Sequence, residues 1–544
     1  MRFVAPSRVR RFSEDELVER ANNITDRAQP FAHAWSQLHS AVRARRYDHA
    51  TSAARTGWFT LLSGPAHEVA PVLEPVPPSE LDRHPLLSAL LGHAQVSIPA
   101  RRPLALRRLA QAEAEASLPG GPMPAIDRAL ILVGQADVHR RLGRMEAAVA
   151  AGRAALDALD GSTPEGGAEV RALEEVYGHL GMSLLSSGAR QLALQALEEG
   201  ALVSELSGRQ PAAALLAALA LVAAVDGDLP AARGYVEQVL QLRPPVVGRD
   251  AALLKTARSI LDLDTIDREE AARRATAPWR DTGADPAPQW VAAAAARAML
   301  HWLSGYPGRA LASLEHTAKL HGREGRTIAV RSALAPLRAA LQLALGHPDA
   351  AVAVLDRDAT RSVARALEQA RIELVLGRHG AALAQLRSVS VAELPTRELA
   401  EAAALEAAAL LRFSTGPRVE AIVDHLGSVL AATGLRLPLR MLPASDFGRV
   451  SDALAAAGYG EALGLHRLVP LLPGIAEEML TRRETAVLTA LLEHSSHAAI
   501  AAALNVSVNT VKSQLRSVYR KLGVSTRDEA IAVALDRHLV VERE

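Results

Sequence analysis

The sequence predicts an all-α protein, a long array of stacked helix pairs followed by a small, well-capped helical unit. Three observations predict it. The chain is 49% hydrophobic but only 3% aromatic, and much of its apolar content is Ala and Leu, which suits many thin, closely packed helices better than a sandwich or barrel. A Gly followed five residues later by an Ala recurs through the middle of the chain. Near the C-terminus, capping and turn residues become unusually well formed. At 544 residues the chain is also too long for one core, so two or more units are expected.

The Gly–Ala pairs are Gly143/Ala148, Gly188/Ala193, Gly227/Ala232, Gly305/Ala310, Gly346/Ala351, Gly377/Ala382 and Gly416/Ala421. Each sits between two Ala/Leu-rich helical stretches. A further small residue lies seven positions before each Gly: Ala136, Gly181, Ala220, Ala298, Ala339, Ala370 and Ala409. The physics is that of a helix hairpin. Gly ends the first helix in a left-handed cap, and the small residues let the two helices cross at short distance. Consecutive glycines lie about 31–45 residues apart, except for one gap of about twice that, where Asp267/Ala272 is a degenerate candidate. Periods of this size mean stacked helix pairs, because one pair alone cannot bury its apolar face. The bland alternative is a non-repetitive helical domain in which the pairs recur because Ala is abundant.

The best-formed unit carries Tyr177, Leu180, Gly181, Leu184, Gly188, Ala193, Leu197 and Gly200. It resembles the tetratricopeptide pattern, and another unit ends with Pro244 where that pattern has its proline. The resulting division is an N-terminal segment (1–30), a tetratricopeptide-like helical-repeat solenoid (31–462), a linker (463–477) containing Pro470, Pro473 and Gly474, and a terminal domain (478–544).

Composition narrows the function classes. Net charge is +1, so any surface for an anionic partner must be local. With no cysteines, disulfides, thiolate metal sites and a Cys nucleophile are excluded. The first residues lack the apolar core of a signal peptide. The longest apolar run, "AAALLAALALVAAV" at residues 212–225, falls short of a membrane span. These features lead to the expectation of a soluble, cytoplasmic protein.

In the terminal domain, Thr481 and Glu484 form a capping-box pattern ahead of an apolar stripe of Val487, Leu488, Leu491 and Leu492. Ser496 is the candidate N-cap of a second short helix carrying Ile500 and Leu504. Asn505 suits the left-handed position of a tight turn, and Ser507 can cap the helix that follows. In that third helix Val508, Val511, Leu515, Val518 and Leu522 share one face. The opposite face holds Asn509, Ser513, Arg516 and Arg520, with Lys512 and Lys521 on its flanks. A fourth helix is expected from Ser525, with Asp528 three residues on, burying Ile531, Ala534 and Leu535. Of the 61 basic residues four are lysines, and two of them lie in the third helix. No Asp or Glu occurs from Ser507 to Arg527. A short helix, a tight turn and an amphipathic basic helix describe a DNA-binding helix-turn-helix.

The stretches "LTRRETAVLTALL" and "AAIAAALNVSVNTVKSQLRSVYRKLGVSTRDEAIAVA" resemble the DNA-binding domain of LuxR-type transcriptional regulators over about the last 65 residues. The resemblance implies a four-helix domain whose third helix enters the major groove and whose fourth often pairs two protomers. It also suggests an internal pair between Glu484 and Arg527. His494, Ser496, His497 and Ala499 depart from the usual Gly-x-Ser-Asn-x-Glu loop, and Gln514 replaces a common His. The candidate DNA-binding residues are Asn509, Thr510, Lys512, Ser513, Arg516, Arg520 and Lys521. Lys512 is the leading contact, Thr510 can hold phosphate, Asn509 and Ser513 can meet base edges, and Arg516 and Arg520 can meet phosphates. Against this stands an ordinary solvated polar face. His494 and His497 have metal-like spacing but no further ligand nearby.

Large regulators with this ending and a helical-repeat middle, such as those resembling the maltose regulator MalT, often carry an ATPase module. Here no Gly-Lys pair exists, so no phosphate-binding loop of that kind can form. No Gly-x-Ser-x-Gly elbow or His-Glu-x-x-His pair occurs either. The sequence therefore predicts no catalytic residues, no cofactor and no metal. It predicts a regulator that binds double-stranded promoter DNA as a homodimer and senses an unidentified ligand or protein partner through its repeats. The competing readings are a helical-repeat adaptor whose terminal helices only dimerise, and a degenerate regulator that still binds a nucleotide.

Overall fold

The computed structural model describes residues 31–536 except 97, 119–120, 161–166, 209–210, 243–247, 277–288, 358–361, 391–393, 414–415, 475–479, 481, 495 and 523. The N-terminal segment, Pro244 and Thr481 lie outside the described residues, as does the side chain of Leu535. Among the described residues the chain is helical, with one isolated bridge between Pro443 and Leu472. Its contacts divide it into two units: one runs to Ala218 and includes Val239–Ala252, the other comprises Leu219–Gln238 and everything from Leu253 onward.

In the first unit, short helices precede three antiparallel pairs: Pro85–Val96 with Arg102–Ala116, Ala125–Arg141 with Met145–Leu159, and Gly167–Ser186 with Arg190–Leu206. The second unit contains Trp290–Leu303 with Pro307–Leu320, Ile328–Ala344 with Pro348–Asp356, Val363–Val375 with His379–Leu386, and Thr396–Leu410 with Pro417–Thr433. Within each unit the first helix of a pair also packs on the first helix of the next. This is the tetratricopeptide-like arrangement.

The recurring pattern has the predicted local cause at six of its seven sites. Gly143, Gly188, Gly227, Gly305, Gly346 and Gly377 have φ between 73° and 93°, the left-handed region that a Cβ disfavours. The alanines five residues on are each at most 1% exposed. The recurrence is therefore structural rather than compositional. Gly181 shows why small residues are needed before the turn. A Cβ there would lie 2.7 Å from the Leu197 side chain and 3.3 Å from the Ala193 carbonyl, so the two helices touch through the missing methyl.

Two sites differ. Gly416 has φ 130° and ψ −172° and directly precedes Pro417, which starts the next helix, while Ala421 is exposed and Val419 is buried in its place. At the degenerate site, Asp267 caps the helix Arg268–Thr276 by accepting from the Glu270 amide at 2.8 Å, and Ala271 rather than Ala272 is buried.

A buried carboxylate ties distant parts of the second unit together. Asp264 accepts from the backbone amides of Arg436 and Leu437, each at 2.7 Å, and from both terminal nitrogens of Arg397 at 3.1 Å. Arg397 also donates to the carbonyls of Ala224 and Val225, the open C-terminal end of helix Ala213–Asp226. The expected linker is partly pinned to the same unit. Leu472 is 2% exposed in a core shared with Trp302 and Leu437. The Leu471 amide donates to the Arg440 carbonyl at 2.7 Å, and the Trp302 indole donates to the Leu471 carbonyl at 3.3 Å.

Replacing Gly181 by Ala should force its hairpin apart and cost about 1–3 kcal/mol. Gly234, with nothing within 4 Å of its Cβ position, should instead gain up to about 1 kcal/mol as Ala. Scanning calorimetry of the two variants reads opposite shifts in melting temperature. Asp264→Ala strands a guanidinium and two amides and should cost about 3–5 kcal/mol. Hydrogen exchange should accelerate at the Arg436 and Leu437 amides first.

Candidate nucleic-acid interface

Four helices form the terminal domain: α1 (Arg482–Glu493), α2 (His497–Ala503), α3 (Val508–Leu522) and α4 (Arg527–Asp536). They enclose a core of their own, made by Val487, Leu488 and Leu491 from α1, Ile500 from α2, Val511, Leu515, Val518 and Leu522 from α3, and Ala530 and Ala534 from α4. Burial of this aliphatic stripe fixes which side of α3 faces outward.

Local chemistry sets each helix start. Ser496 accepts from the Ala499 amide at 3.2 Å, so α2 is capped despite the missing carboxylate in its loop. Asn505 takes φ 53° in the turn before α3, and Ser507 accepts from the Thr510 amide at 3.1 Å. The N-cap of the fourth helix is Thr526, one residue after the expected Ser525. Thr526 accepts from the Glu529 amide at 3.2 Å, and Glu529 reaches back to the amides of Ser525 and Thr526. Those amide hydrogen bonds hold the Glu529 carboxyl below its ordinary pKa. Among the described side chains of α4, Ala530 and Ala534 are fully buried and Ile531 is half-buried.

Six of the seven predicted contact residues project outward. Asn509, Thr510, Lys512, Ser513, Arg516 and Arg520 are exposed on α3. The Thr510 hydroxyl lies 2.8 Å from the Ser507 hydroxyl, and Ser513 donates to the Thr510 carbonyl at 3.0 Å. These bonds steady the first turn. Lys512, Arg516 and Arg520 follow one another at intervals of four, a cationic ridge with about 6 Å between steps.

Lys521 does not belong to that surface. Its side chain is 10% exposed, and its ammonium sits 2.8 Å from the carboxylate of Glu484, itself 5% exposed. On a helical wheel Lys512 and Lys521 flank the polar face symmetrically, so the spacing within α3 cannot separate them. The acid on α1 draws Lys521 inward. Arg527 donates to the carbonyls of Leu491 at 2.5 Å and His494 at 2.6 Å, closing the C-terminal end of α1. Val508 departs from its predicted place as well: at 38% exposure it lies outside the core. Tyr519 packs beside that core, where burial raises its hydroxyl pKa against the opposing charge of Arg527. Among the described residues no His, Asp and Glu gather into a metal-holding group, and no helix is long and apolar enough to cross a membrane.

Comparison with known proteins agrees with this geometry. Residues 478–534 match the family described as "Bacterial regulatory proteins, luxR family". A stretch of 64 residues is 42% identical to the "Transcriptional regulatory protein YdfI" of Bacillus subtilis (strain 168), covering 12% of this chain and 30% of that protein's length. A solved structure, "Crystal structure of APC/C hetero-tetramer Cut9-Hcn1", is similar with TM-score 0.40 and 11% identity, covering 95% of this chain and 99% of that one. The chain carries a LuxR-family helix-turn-helix domain at its C-terminal end.

Removing Lys521 deletes the ammonium that meets the buried Glu484 carboxylate, so Lys521→Ala should destabilise the terminal domain by about 1–3 kcal/mol. Lys512→Ala, on the exposed ridge, should change its melting by no more than about 0.5 kcal/mol. Thermal unfolding followed by hydrogen exchange within residues 482–536 separates the two.

Proposed function

We propose that this chain is a sequence-specific DNA-binding transcriptional regulator, with α3 lying in the major groove of double-stranded promoter DNA. The observation that carries the reading is the outward ridge of Lys512, Arg516 and Arg520, set on a capped helix whose other side is locked into an aliphatic core. Its cations neutralise phosphates, and the early residues Asn509 and Ser513 lie where side chains of a recognition helix meet base edges. The LuxR-family match supports assigning these contacts to α3.

In this proposal the protein acts in the cytoplasm as a homodimer, with two copies of α3 meeting half-sites about one helical turn apart. The repeat units receive a ligand or a protein partner, and occupancy changes promoter affinity through two states that bind that effector differently. No catalytic step is assigned to the chain.

Electrophoretic mobility shift and fluorescence anisotropy with genomic promoter fragments test the core of the proposal. Lys512→Ala and Arg516→Ala should each weaken duplex binding by about 1–3 kcal/mol and lower the slope of log affinity against log salt by about one. Equal binding by the wild type and both variants, or no binding at low ionic strength, would favour the adaptor reading.

A further inference from the structure

Among the described residues of the terminal domain, two large apolar side chains stand out in solvent: Val506, 41% exposed, and Val508, 38% exposed. A single exposed valine needs no explanation. These two flank Ser507, the residue that caps the helix assigned above to the groove. The other aliphatic residues of α3, Val511, Leu515, Val518 and Leu522, are all buried. Val508 also begins the ridge that continues through Lys512 and Arg516, since residues four apart share a helix face. The first turn of that ridge is thus apolar and the rest is cationic.

We infer that Val508 is a specificity-determining residue whose methyl groups meet the 5-methyl of a thymine, next to the base pair that Lys512 approaches. The inference rests on the regulator reading and goes a step beyond it. The thymine methyl is the one apolar mark that a base pair shows in the major groove, and aliphatic contact is how proteins read it. A cation cannot. Val506, on the other side of the cap, adds apolar surface that keeps water from the contact. Its backbone N–H donates a hydrogen bond to the Ala501 carbonyl at 3.0 Å, which fixes the turn that sets Val508 in place.

The test uses the full-length chain and duplexes selected by it from a random library. Each thymine of the selected site is replaced singly by deoxyuridine, which lacks only the methyl. At one position or more the wild type should bind the deoxyuridine duplex about fourfold more weakly, the effect of one buried methyl. Val508→Ala should bind the two duplexes equally there while keeping the wild-type salt dependence, since no phosphate contact is removed. If Val508→Ala discriminates as the wild type does, or if no thymine is sensitive, the inference is overturned while the regulator reading stands. If the wild type selects no duplex at all, the regulator reading fails and takes this inference with it.

Discussion

The closeness with which paired helices can cross governs most of this molecule. A methyl added at Gly181 would fall within 2.7 Å of the Leu197 side chain, and at six of the seven turns the small residues seven before and five after are likewise buried. Such pairs bury little area per side chain, because Ala offers little. Stability therefore depends on many tight contacts rather than a few large ones, and each pair needs the next to cover its apolar face. This is how a chain with 3% aromatic residues encloses continuous cores in each unit.

How legible a feature was in the sequence depended on how local its cause is. The left-handed glycine caps at six sites, the Ser496 and Ser507 N-caps and the Asn505 turn are decided within a few residues, and the structure places them where the spacing suggested. Boundaries move where two neighbours compete for one role. Ser525 and Thr526 both offer hydroxyls and Asp528 and Glu529 both offer acids, but only the longer Glu529 side chain reaches two amides at once. At Gly416 the following proline starts a helix immediately, which removes the need for a left-handed cap. The Asp264 cluster left no trace in any local pattern. Its partners are 133 to 173 residues away in sequence, and a lone carboxylate has no period to detect.

The candidate interface divides along the same line. The outward face of α3 follows from its own periodicity, so Asn509, Lys512, Ser513, Arg516 and Arg520 could be named from the sequence. The fate of Lys521 could not, because it depends on which residue of another helix lies opposite. Glu484 held the clue. An acid inside an otherwise apolar and well-capped stretch requires a buried cation, and a nearby basic helix supplies one.

The same distinction explains why a chain so reliant on arginine keeps lysine in α3. Within the repeats, cations work as multidentate clamps. Arg397 divides its donors between a carboxylate and two helix-end carbonyls, and Arg436 donates to the carbonyls of Leu430, Leu435, Ala462 and Leu463. A lysine cannot span such partners, whereas a planar guanidinium can. The Lys521 ammonium donates to the Glu484 carboxylate at 2.8 Å, in a buried place where a broader guanidinium would need more room. Lys512 is exposed beside an apolar residue at the start of the same helix, where a flexible stem can carry its charge to a phosphate or a base edge without imposing one fork geometry. Arginine thus builds the scaffold. The two lysines of α3 stand near its ends, Lys521 against Glu484 inside the terminal core and Lys512 in solvent on the outward ridge.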